Sequence, residues 1–331
     1  MAARTRRSGG SGGSLGSERV VVALGGNAIV PAGRTGTADE QTASIAAAMA
    51  GLAGVIAGGV RQVVLTHGNG PQVGNLLLKN ELARDVVPPV PLDWCVAQTQ
   101  ATIGFTLANA LGDELAGHGA PRTVVPLVSR VLVAADDPAF SAPTKPVGPR
   151  ITDEAEVERR RRTGQTFAAT AAGWRRTVPS PTPLASLELE VIRDLLDGGA
   201  VVVANGGGGV PTVRGDDGRL RGVEAVIDKD LAGALLATEL GADRFVILTD
   251  VRGVAVGYGT PEERWLGEVP VAELRALAAS GAFGVGSMGP KVEAACRFVE
   301  AGGDSAVIAS LDEVGPALEG RVGTRVVGDR P

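Results

Sequence analysis

The segment VVVALGG at residues 20–26 decides the predicted fold. Its five consecutive apolar residues suit a short buried strand, and the glycine pair at 25 and 26 ends that strand. A helical pattern follows, in which apolar residues recur on one face from Ile45 to Ile56, before a second glycine pair at 58 and 59. A buried strand that leads into an amphipathic helix is the repeating unit of α/β proteins.

The same unit recurs along the rest of the chain. We predict further strands at residues 63–65, 124–128, 201–204, 245–248 and 306–309, and helices at 76–82, 94–115, 184–196, 231–240 and from 291 onward. Strands that alternate with helices form a mostly parallel sheet covered on both faces. The predicted fold class is therefore α/β, a three-layer α/β/α sandwich with a mostly parallel central sheet.

Two segments depart from this alternation. Residues 1–18 are rich in Gly, Ser and Arg and nearly free of apolar side chains, which predicts a disordered tail. Residues 129–183 are rich in Pro, Arg and Asp and contain few long apolar runs. This composition predicts a small protruding subdomain, or lid, inserted in a single domain that spans residues 19–331.

Composition excludes several classes of function. The net charge is −5 and no basic patch is evident, which argues against a nucleic-acid partner. Cys95 and Cys296 lie in apolar helical patterns and are predicted to be free thiols in a reducing compartment. No apolar run approaches membrane-spanning length, so we predict a cytoplasmic protein without a membrane partner.

Glycine clusters follow three of the predicted strands. They are Gly25-Gly26, the loop Gly68-Asn69-Gly70 and the run at residues 206–209. Backbone amides exposed by glycine at the carboxyl end of a strand can cradle phosphate oxygens. The chain contains no G-x-x-x-x-G-K-[ST] loop, and its first strand–helix turn lacks G-x-G-x-x-G.

Lysine is scarce, with only Lys79, Lys145, Lys229 and Lys291 among 32 basic residues. A lysine that has not been replaced by arginine marks a site that needs a compact point charge. Lys79 falls inside an amphipathic helix and is predicted to lie at the surface, whereas the other three stand beside Gly, Pro or Asp. Phosphoryl transfer suits this inventory, because it needs positive groups and backbone donors around a charged group. Mg²⁺ would accompany the nucleotide, and no dedicated protein metal cluster is predicted.

Four ordered motifs resemble the signatures of the carbamate kinases, which are members of the amino acid kinase family. They are VALGGNA (22–28), THGNGPQVG (66–74), GVEAVIDKD (222–230) and GSMGPKVEA (286–294). The stretches PTKPVGP (143–149) and RRTVPSP (175–181) look like that family's protruding subdomain and the return from it. The resemblance covers residues 19–328.

The resemblance implies a role for each matching residue. Gly25, Gly26 and Asn27 would bind the transferred phosphoryl group, and Gly68, Asn69 and Gly70 the carbamate. Lys229, oriented by Asp228, would stabilise the transition state, Lys291 would contact the nucleotide phosphates, and Lys145 would reach the substrate from the lid. The residues implied to border the nucleotide, ATP or ADP, are Gly206, Gly207, Gly208, Leu248, Thr249, Asp250, Tyr258, Met288 and Pro290.

The chain also departs from the family's pattern. Arg252 and Ala255 replace a usual Asp and Tyr, Thr182 replaces a usual Lys, and Thr99-Gln100-Ala101-Thr102 replaces Ser-Gln-Gly-Met. The resemblance implies a homodimer that interconverts ATP plus carbamate with ADP plus carbamoyl phosphate, and His67 is expected to be structural because carbamate needs no strong base. Two alternatives remain, namely a kinase of the same fold acting on another small acid and a non-catalytic nucleotide sensor.

Overall fold

The protein was analysed as a computed structural model that describes residues 18–26, 29–30, 36–283 and 288–329. The predicted tail, apart from Glu18, therefore lies outside the described residues, as does Asn27.

An eight-stranded sheet forms the centre of the structure, and six of its seven strand pairings are parallel. The antiparallel pairing joins the second and third strands from one edge. In sheet order the strands are β15 (Glu268–Pro270), β17 (Thr324–Val327), β16 (Ser305–Ser310), β12 (Arg244–Thr249), β1 (Arg19–Leu24), β2 (Gln62–His67), β9 (Val201–Val203) and β3 (Val124–Pro126).

Helices cover both faces of this sheet, as predicted for a three-layer sandwich. One face packs against α1 (Ala38–Ala57), α3 (Leu92–Gly117) and α9 (Val314–Leu318). The other packs against α5 (Leu189–Asp197), α6 (Lys229–Leu240), α7 (Val271–Ala279) and α8 (Met288–Glu300). Buried strands such as β1, where Val21 faces one layer and Val22 the other, supply apolar side chains to both cores.

Helix α1 is the only candidate membrane span among the described helices, judged by length and composition. Its apolar face, which includes Ile45, Met49 and Leu52, is buried against the sheet and α3. Thr37 and Glu40 form a capping box at its start, which satisfies backbone amides of the first turn. These features describe the core helix of a globular domain.

Smaller sheets stand beside the central one. A four-stranded sheet contains β11 (Leu220–Gly222), β10 (Val210–Arg214), β4 (Arg130–Val133) and β8 (Pro183–Ser186). A three-stranded antiparallel sheet of β5 (Lys145–Ile151), β7 (Gly173–Val178) and β6 (Thr166–Thr170), with α4 (Glu154–Arg161), lies inside the segment predicted to protrude. We call residues 145–178 the lid, and it packs on α2 (Gly70–Ala83). A hairpin joins β13 (Ala255–Val256) to β14 (Arg264–Trp265).

The helix predicted at residues 184–196 is wrong over its first residues. Pro183–Ser186 form strand β8, which pairs antiparallel with β4, and the helix begins only at Leu189. This strand has four residues, and its buried positions, Pro183 and Ser186, do not follow a two-residue alternation, so local periodicity could not identify it. Because β4 and β8 pair, the two ends of the inserted segment lie side by side.

Candidate active site

The first two glycine loops meet at the carboxyl ends of neighbouring strands. The Gly68 amide donates to the Leu24 carbonyl at 3.0 Å, and the Gly25 amide donates to the Leu248 carbonyl at 2.9 Å. A Cβ atom on Gly68 would lie 3.0 Å from the Gly26 nitrogen and 3.2 Å from Cδ of Lys229. Only glycine fits there, so the two loops and this lysine border one point at the sheet edge.

The third glycine cluster, a 3₁₀ turn at Gly206–Gly208, packs on the second loop. A Cβ atom on Gly206 would overlap the His67 ring, and one on Gly207 would overlap the Asn69 amide. Gly207 also has φ of 64°, which favours glycine further. The turn thereby fixes the position of Asn69.

Asn69 is held from its other side by the segment that departs from the family's pattern. Its Nδ2 donates to Thr99 Oγ1 at 2.8 Å, and that hydroxyl donates to the Val96 carbonyl at 2.7 Å. The serine that is usual in the family at position 99 would offer a hydroxyl oxygen in the same place. The Thr99 departure therefore keeps the hydroxyl that this arrangement uses.

Asp228 caps helix α6 and anchors the lid. Its Oδ1 accepts from the amides of Asp230 and Leu231 at 3.0 and 3.3 Å, and its Oδ2 accepts from Lys145 Nζ at 2.9 Å. Burial works against ionisation of this carboxyl, but Lys145, followed by Lys229 and the Leu231 amide, outweighs it and lowers the pKa of Asp228. The first residue of the lid is thus tied to the start of α6.

Asp230 holds the other two lysines. Lys229 Nζ lies 2.6 Å from its Oδ1, and Lys291 Nζ lies 3.2 Å from its Oδ2. Only 3% of Asp230 and 6% of Lys291 are exposed. Two ammonium groups that share one carboxylate leave an excess positive charge beside the glycine loops, and such a charge suits a phosphoryl group.

Lys229 forms its ion pair with Asp230 and not with Asp228, the residue that the sequence analysis expected to orient it. Asp228 turns back to the amides of its own helix and to Lys145, because it occupies the N-cap position. Burial lowers the pKa of Lys229, and Asp230 is the strongest influence that opposes this. Asp230 joins two lysines that are distant in sequence, a contact that the sequence analysis did not predict.

Apart from the Gly206–Gly208 turn, the residues expected to border the nucleotide lie in three places. Leu248 and Thr249 end β12 beside Gly25, and the exposed Asp250 accepts from Thr249 Oγ1 at 3.0 Å. Met288 and Pro290 lie in the same helical turn as Lys291. Tyr258 belongs to the β13–β14 hairpin, where it is 63% exposed. Their contacts with a nucleotide remain predictions.

The same hairpin contains two departures from the family's pattern. Arg252 stacks over the Trp265 ring at 4.4 Å, and Tyr258 meets that ring edge-on with centroids 5.9 Å apart. Ala255 is buried and pairs with Trp265 across the two strands. The substituted residues thus stabilise the hairpin itself.

Sequence reasoning also missed a buried polar network behind the third glycine cluster. The Asn205 amide donates to Ser129 Oγ at 2.6 Å, its Nδ2 donates to Ser186 Oγ at 3.0 Å, and Thr66 Oγ1 donates to its carbonyl at 2.9 Å. Asn205 adopts φ of 50°, which is uncommon for a residue other than glycine. An Asn directly before a glycine run was the available signal, since Asn tolerates this conformation.

Among the described residues, no group of three or more His, Cys, Asp or Glu side chains is arranged to hold a metal ion. Both carboxylate oxygens of Asp230 are taken by lysines, and those of Asp228 by Lys145 and helix amides. This pair of carboxylates therefore offers little to a cation.

His67 is buried and neutral. Its Nδ1 lies 3.0 Å from the Gly68 carbonyl, which can only accept, so this nitrogen carries the proton. Burial, and to a lesser extent Lys229, lowers its pKa from 6.5 to about 4 although the Gly68 hydrogen bond opposes the shift. The ring therefore supports the glycine turn rather than a cationic role.

This shift predicts a pH dependence of stability. The unfolded chain takes up a proton on His67 near pH 6.5 and the folded protein only near pH 4, so acidification through this window favours unfolding. The contribution at full protonation is about 3 kcal/mol. Urea unfolding of His67→Gln at several pH values should show a flatter acid dependence than the wild type, whereas the exposed His118→Gln should follow the wild type. Equal slopes for both variants would contradict the assignment.

Comparison with known proteins agrees with the geometry. A family model described as the amino acid kinase family matches residues 18–310. The carbamate kinase of Thermococcus kodakarensis is 50% identical over 313 residues, which cover 94% of this chain and 99% of that protein. Carbamate kinase 2 of Staphylococcus aureus is 42% identical over 313 residues, which cover 93% of this chain and 99% of that protein. The structure of carbamate kinase from Giardia lamblia bound to AMP-PNP superimposes with a TM-score of 0.87 at 40% identity, covering 96% of this chain and 100% of that one.

An α/β/α sandwich whose glycine loops and buried lysines converge at one sheet edge defines a phosphotransferase of the kinase type. The chain belongs to the amino acid kinase family and, within it, to the carbamate kinases. The resemblance predicted from the motifs is confirmed.

Proposed function

We propose that this chain catalyses the reversible transfer of a phosphoryl group between ATP and carbamate, giving ADP and carbamoyl phosphate. The observation that carries the proposal is the pair of lysines, Lys229 and Lys291, joined by Asp230 directly beside the backbone of Gly68 and Gly26. The relatives' names support carbamate as the phosphoryl acceptor, since each is a carbamate kinase.

In this mechanism Lys229 faces the transferred group and Lys291 the nucleotide phosphates. The Gly26 amide donates to a phosphoryl oxygen, whereas the Gly25 and Gly68 amides hold the two loops in place by donating to strand carbonyls. Charge stabilisation and positioning provide most of the catalysis in phosphoryl transfer. Carbamate brings its own nucleophilic oxygen, so the neutral His67 is not needed as a base. Lys145 adds positive charge from the lid, and Gly70 and Asn69 hold the carbamate.

Mg²⁺ would be held mainly by the nucleotide phosphates, because the two carboxylates beside the lysines are already engaged. When bound, the ion would neutralise phosphate charge. Leu248, Thr249, Met288 and Pro290 would border the nucleotide.

The decisive test is formation of ATP from carbamoyl phosphate and ADP at millimolar concentrations, measured with a coupled assay. We expect rapid, Mg²⁺-dependent formation of ATP, and little with acetyl phosphate in place of carbamoyl phosphate. A preference for acetyl phosphate would favour a kinase for another small acid. Tight binding of ADP without turnover on any acyl phosphate would favour a nucleotide sensor.

We further propose that the enzyme works in the cytoplasm and that it runs toward ATP in catabolism, as in arginine breakdown. Two buried free cysteines among the described residues support a reducing compartment. Carbamoyl phosphate is a high-energy mixed anhydride, and its use to form ATP is the favourable direction.

We also propose that the protein is a homodimer that pairs through α3 and the edge strand β3. Trp94 and Phe105 of α3 are 60% and 55% exposed, and Ala101 lies between them on the same helix face. Helix α3 packs over β3 closely, since a Cβ on Gly104 would lie 2.9 Å from Cβ of Pro126. An exposed aromatic face beside an unpaired sheet edge supports an association surface.

Light scattering should therefore report twice the 33.5 kDa chain mass for the wild type. Phe105→Glu places a charge in the proposed interface and is expected to give a monomer. Leu82→Glu changes another exposed apolar residue, 78% exposed on α2, and should remain a dimer. A dimeric Phe105→Glu variant would count against this interface.

A further inference from the structure

A cavity lies between the lid and helix α2, and none of the three lysines of the candidate active site lines it. It measures about 360 Å³ and is formed where Gly74 of α2 packs on Gly148 of strand β5. A Cβ atom on Gly74 would lie only 2.7 Å from Gly148 Cα. We call this space the lid cavity.

One wall of the lid cavity is apolar and the rest is rich in arginine. Leu77 and Leu78 of α2 face Val147 and Ile151 of the lid. Arg150, Arg160 and Arg176 line the same space, and Asp153 is the only carboxylate among its lining residues. Asp153 is already engaged, since its Oδ1 accepts from the Ala155 amide at 2.9 Å. Arg160 pairs with Glu156, so Arg150 and Arg176 against the single carboxylate of Asp153 leave the cavity positive.

Arg176 is the unusual member of this group. Its Nε is buried without a hydrogen-bond partner, and within the described part of the chain its guanidinium forms no ion pair. Arg160, by contrast, pairs with Glu156 at 2.6 Å. A buried donor without a partner is unfavourable, so Arg176 is a guanidinium whose hydrogen-bonding capacity the protein itself does not fill.

Neighbouring carboxylates offer an ordinary explanation for Arg176. Glu81 and Glu224 line a separate cavity on the other side of this residue and favour its charge at longer range. They oppose the burial that lowers the pKa of Arg176, yet neither forms an ion pair with it. Their presence favours the charged form of Arg176, and Asp153, the carboxylate that lines the lid cavity, forms no ion pair with it among the described residues.

We propose that the lid cavity binds a small organic carboxylate with an apolar carbon chain. Its carboxylate would engage Arg176 and Arg150, because a guanidinium fork matches the geometry of a carboxylate. The carbon chain would lie against Leu77, Val147 and Ile151. The volume falls within the range of small-molecule sites, which is about 300–1,000 Å³.

Occupancy of this site would restrain the lid. The ligand would bridge β5, which begins at Lys145, to α2, which begins in the second glycine loop. The site lies outside the set of residues to which the kinase reaction is assigned. It is therefore a binding function in addition to the proposed activity.

Calorimetric titration of the full chain with glutarate, in the presence of saturating ADP, tests the proposal. We expect saturable binding in the millimolar range that Arg150→Gln weakens about tenfold, because a charge-assisted hydrogen bond is lost. Arg159→Gln removes a charge from the same lid outside the lid cavity and should bind like the wild type. Arg176→Gln, checked for folding by circular dichroism, should bind more weakly still.

Three outcomes would overturn the proposal. They are no saturable heat with the wild type, equal affinity for wild type and Arg150→Gln, or equal weakening by Arg150→Gln and Arg159→Gln. Inorganic phosphate is the second probe, and binding as tight as that of glutarate would exclude an organic ligand that uses the apolar wall. The titration measures binding alone, so its result does not depend on whether the chain forms ATP.

Discussion

Replacing Lys229 with alanine should lower kcat for ATP formation by about 10³-fold, the range found when a group that stabilises transition-state charge is removed. Lys229 reaches the point where the first two glycine loops meet, and it is held there by Asp230 at 2.6 Å. A neutral methyl group leaves the developing phosphoryl charge without this partner. The KM for carbamoyl phosphate should change less than kcat, because the interaction strengthens in the transition state.

Lys79→Ala provides the matched control, since Lys79 lies exposed on α2 and carries the same charge. Its kcat should equal that of the wild type, and circular dichroism should show both variants folded. Lys229→Arg should not restore turnover, because a planar guanidinium cannot reproduce the compact point charge that Asp230 holds at 2.6 Å. Unchanged turnover in Lys229→Ala would remove the catalytic assignment.

The parts of the fold that could be predicted from sequence are those with strong, regular patterns. Strands β1 and β12 contain continuous apolar runs, and the glycine pair that follows β1 marks the edge where the site lies. Strands β4 and β8 were missed because they are four residues long and their pairing is set by distant contacts rather than by local periodicity.

Prediction of the site depended on a different kind of signal. Lysine scarcity singled out Lys145, Lys229 and Lys291, and the structure brings all three to the carboxylates at the start of α6. The sequence could not predict which carboxylate pairs with which lysine. Asp228 and Asp230 are only two residues apart and differ in the direction in which each side chain leaves the helix. The third glycine cluster was recognisable, but its contact with His67 and Asn69 required the tertiary fold.

Asp230→Asn should be the most destabilising of the substitutions considered. The variant leaves the ammonium groups of Lys229 and Lys291 buried near each other without the carboxylate that joins them. Removal of one partner from a buried ion pair typically costs about 3–5 kcal/mol. Chemical denaturation should report a loss of this size in the free energy of unfolding at neutral pH.

The pH dependence separates lost pairing from lost packing. Burial already lowers the pKa of Lys229 below 10.5, and without Asp230 that pKa falls further. When the pKa of a lysine is lower in the folded than in the unfolded state, the lysine carries no penalty above its unfolded pKa and favours unfolding as the pH falls below that value. The loss of stability in Asp230→Asn should therefore shrink as the pH rises toward 10.5. Asp39→Asn is the matched control, because Asp39 occupies the same second position of helix α1 and is exposed. If the loss in the free energy of unfolding of Asp230→Asn stays constant with pH, the cause is a packing defect. That result would contradict the view that the shared carboxylate keeps two lysines charged beside the phosphoryl site.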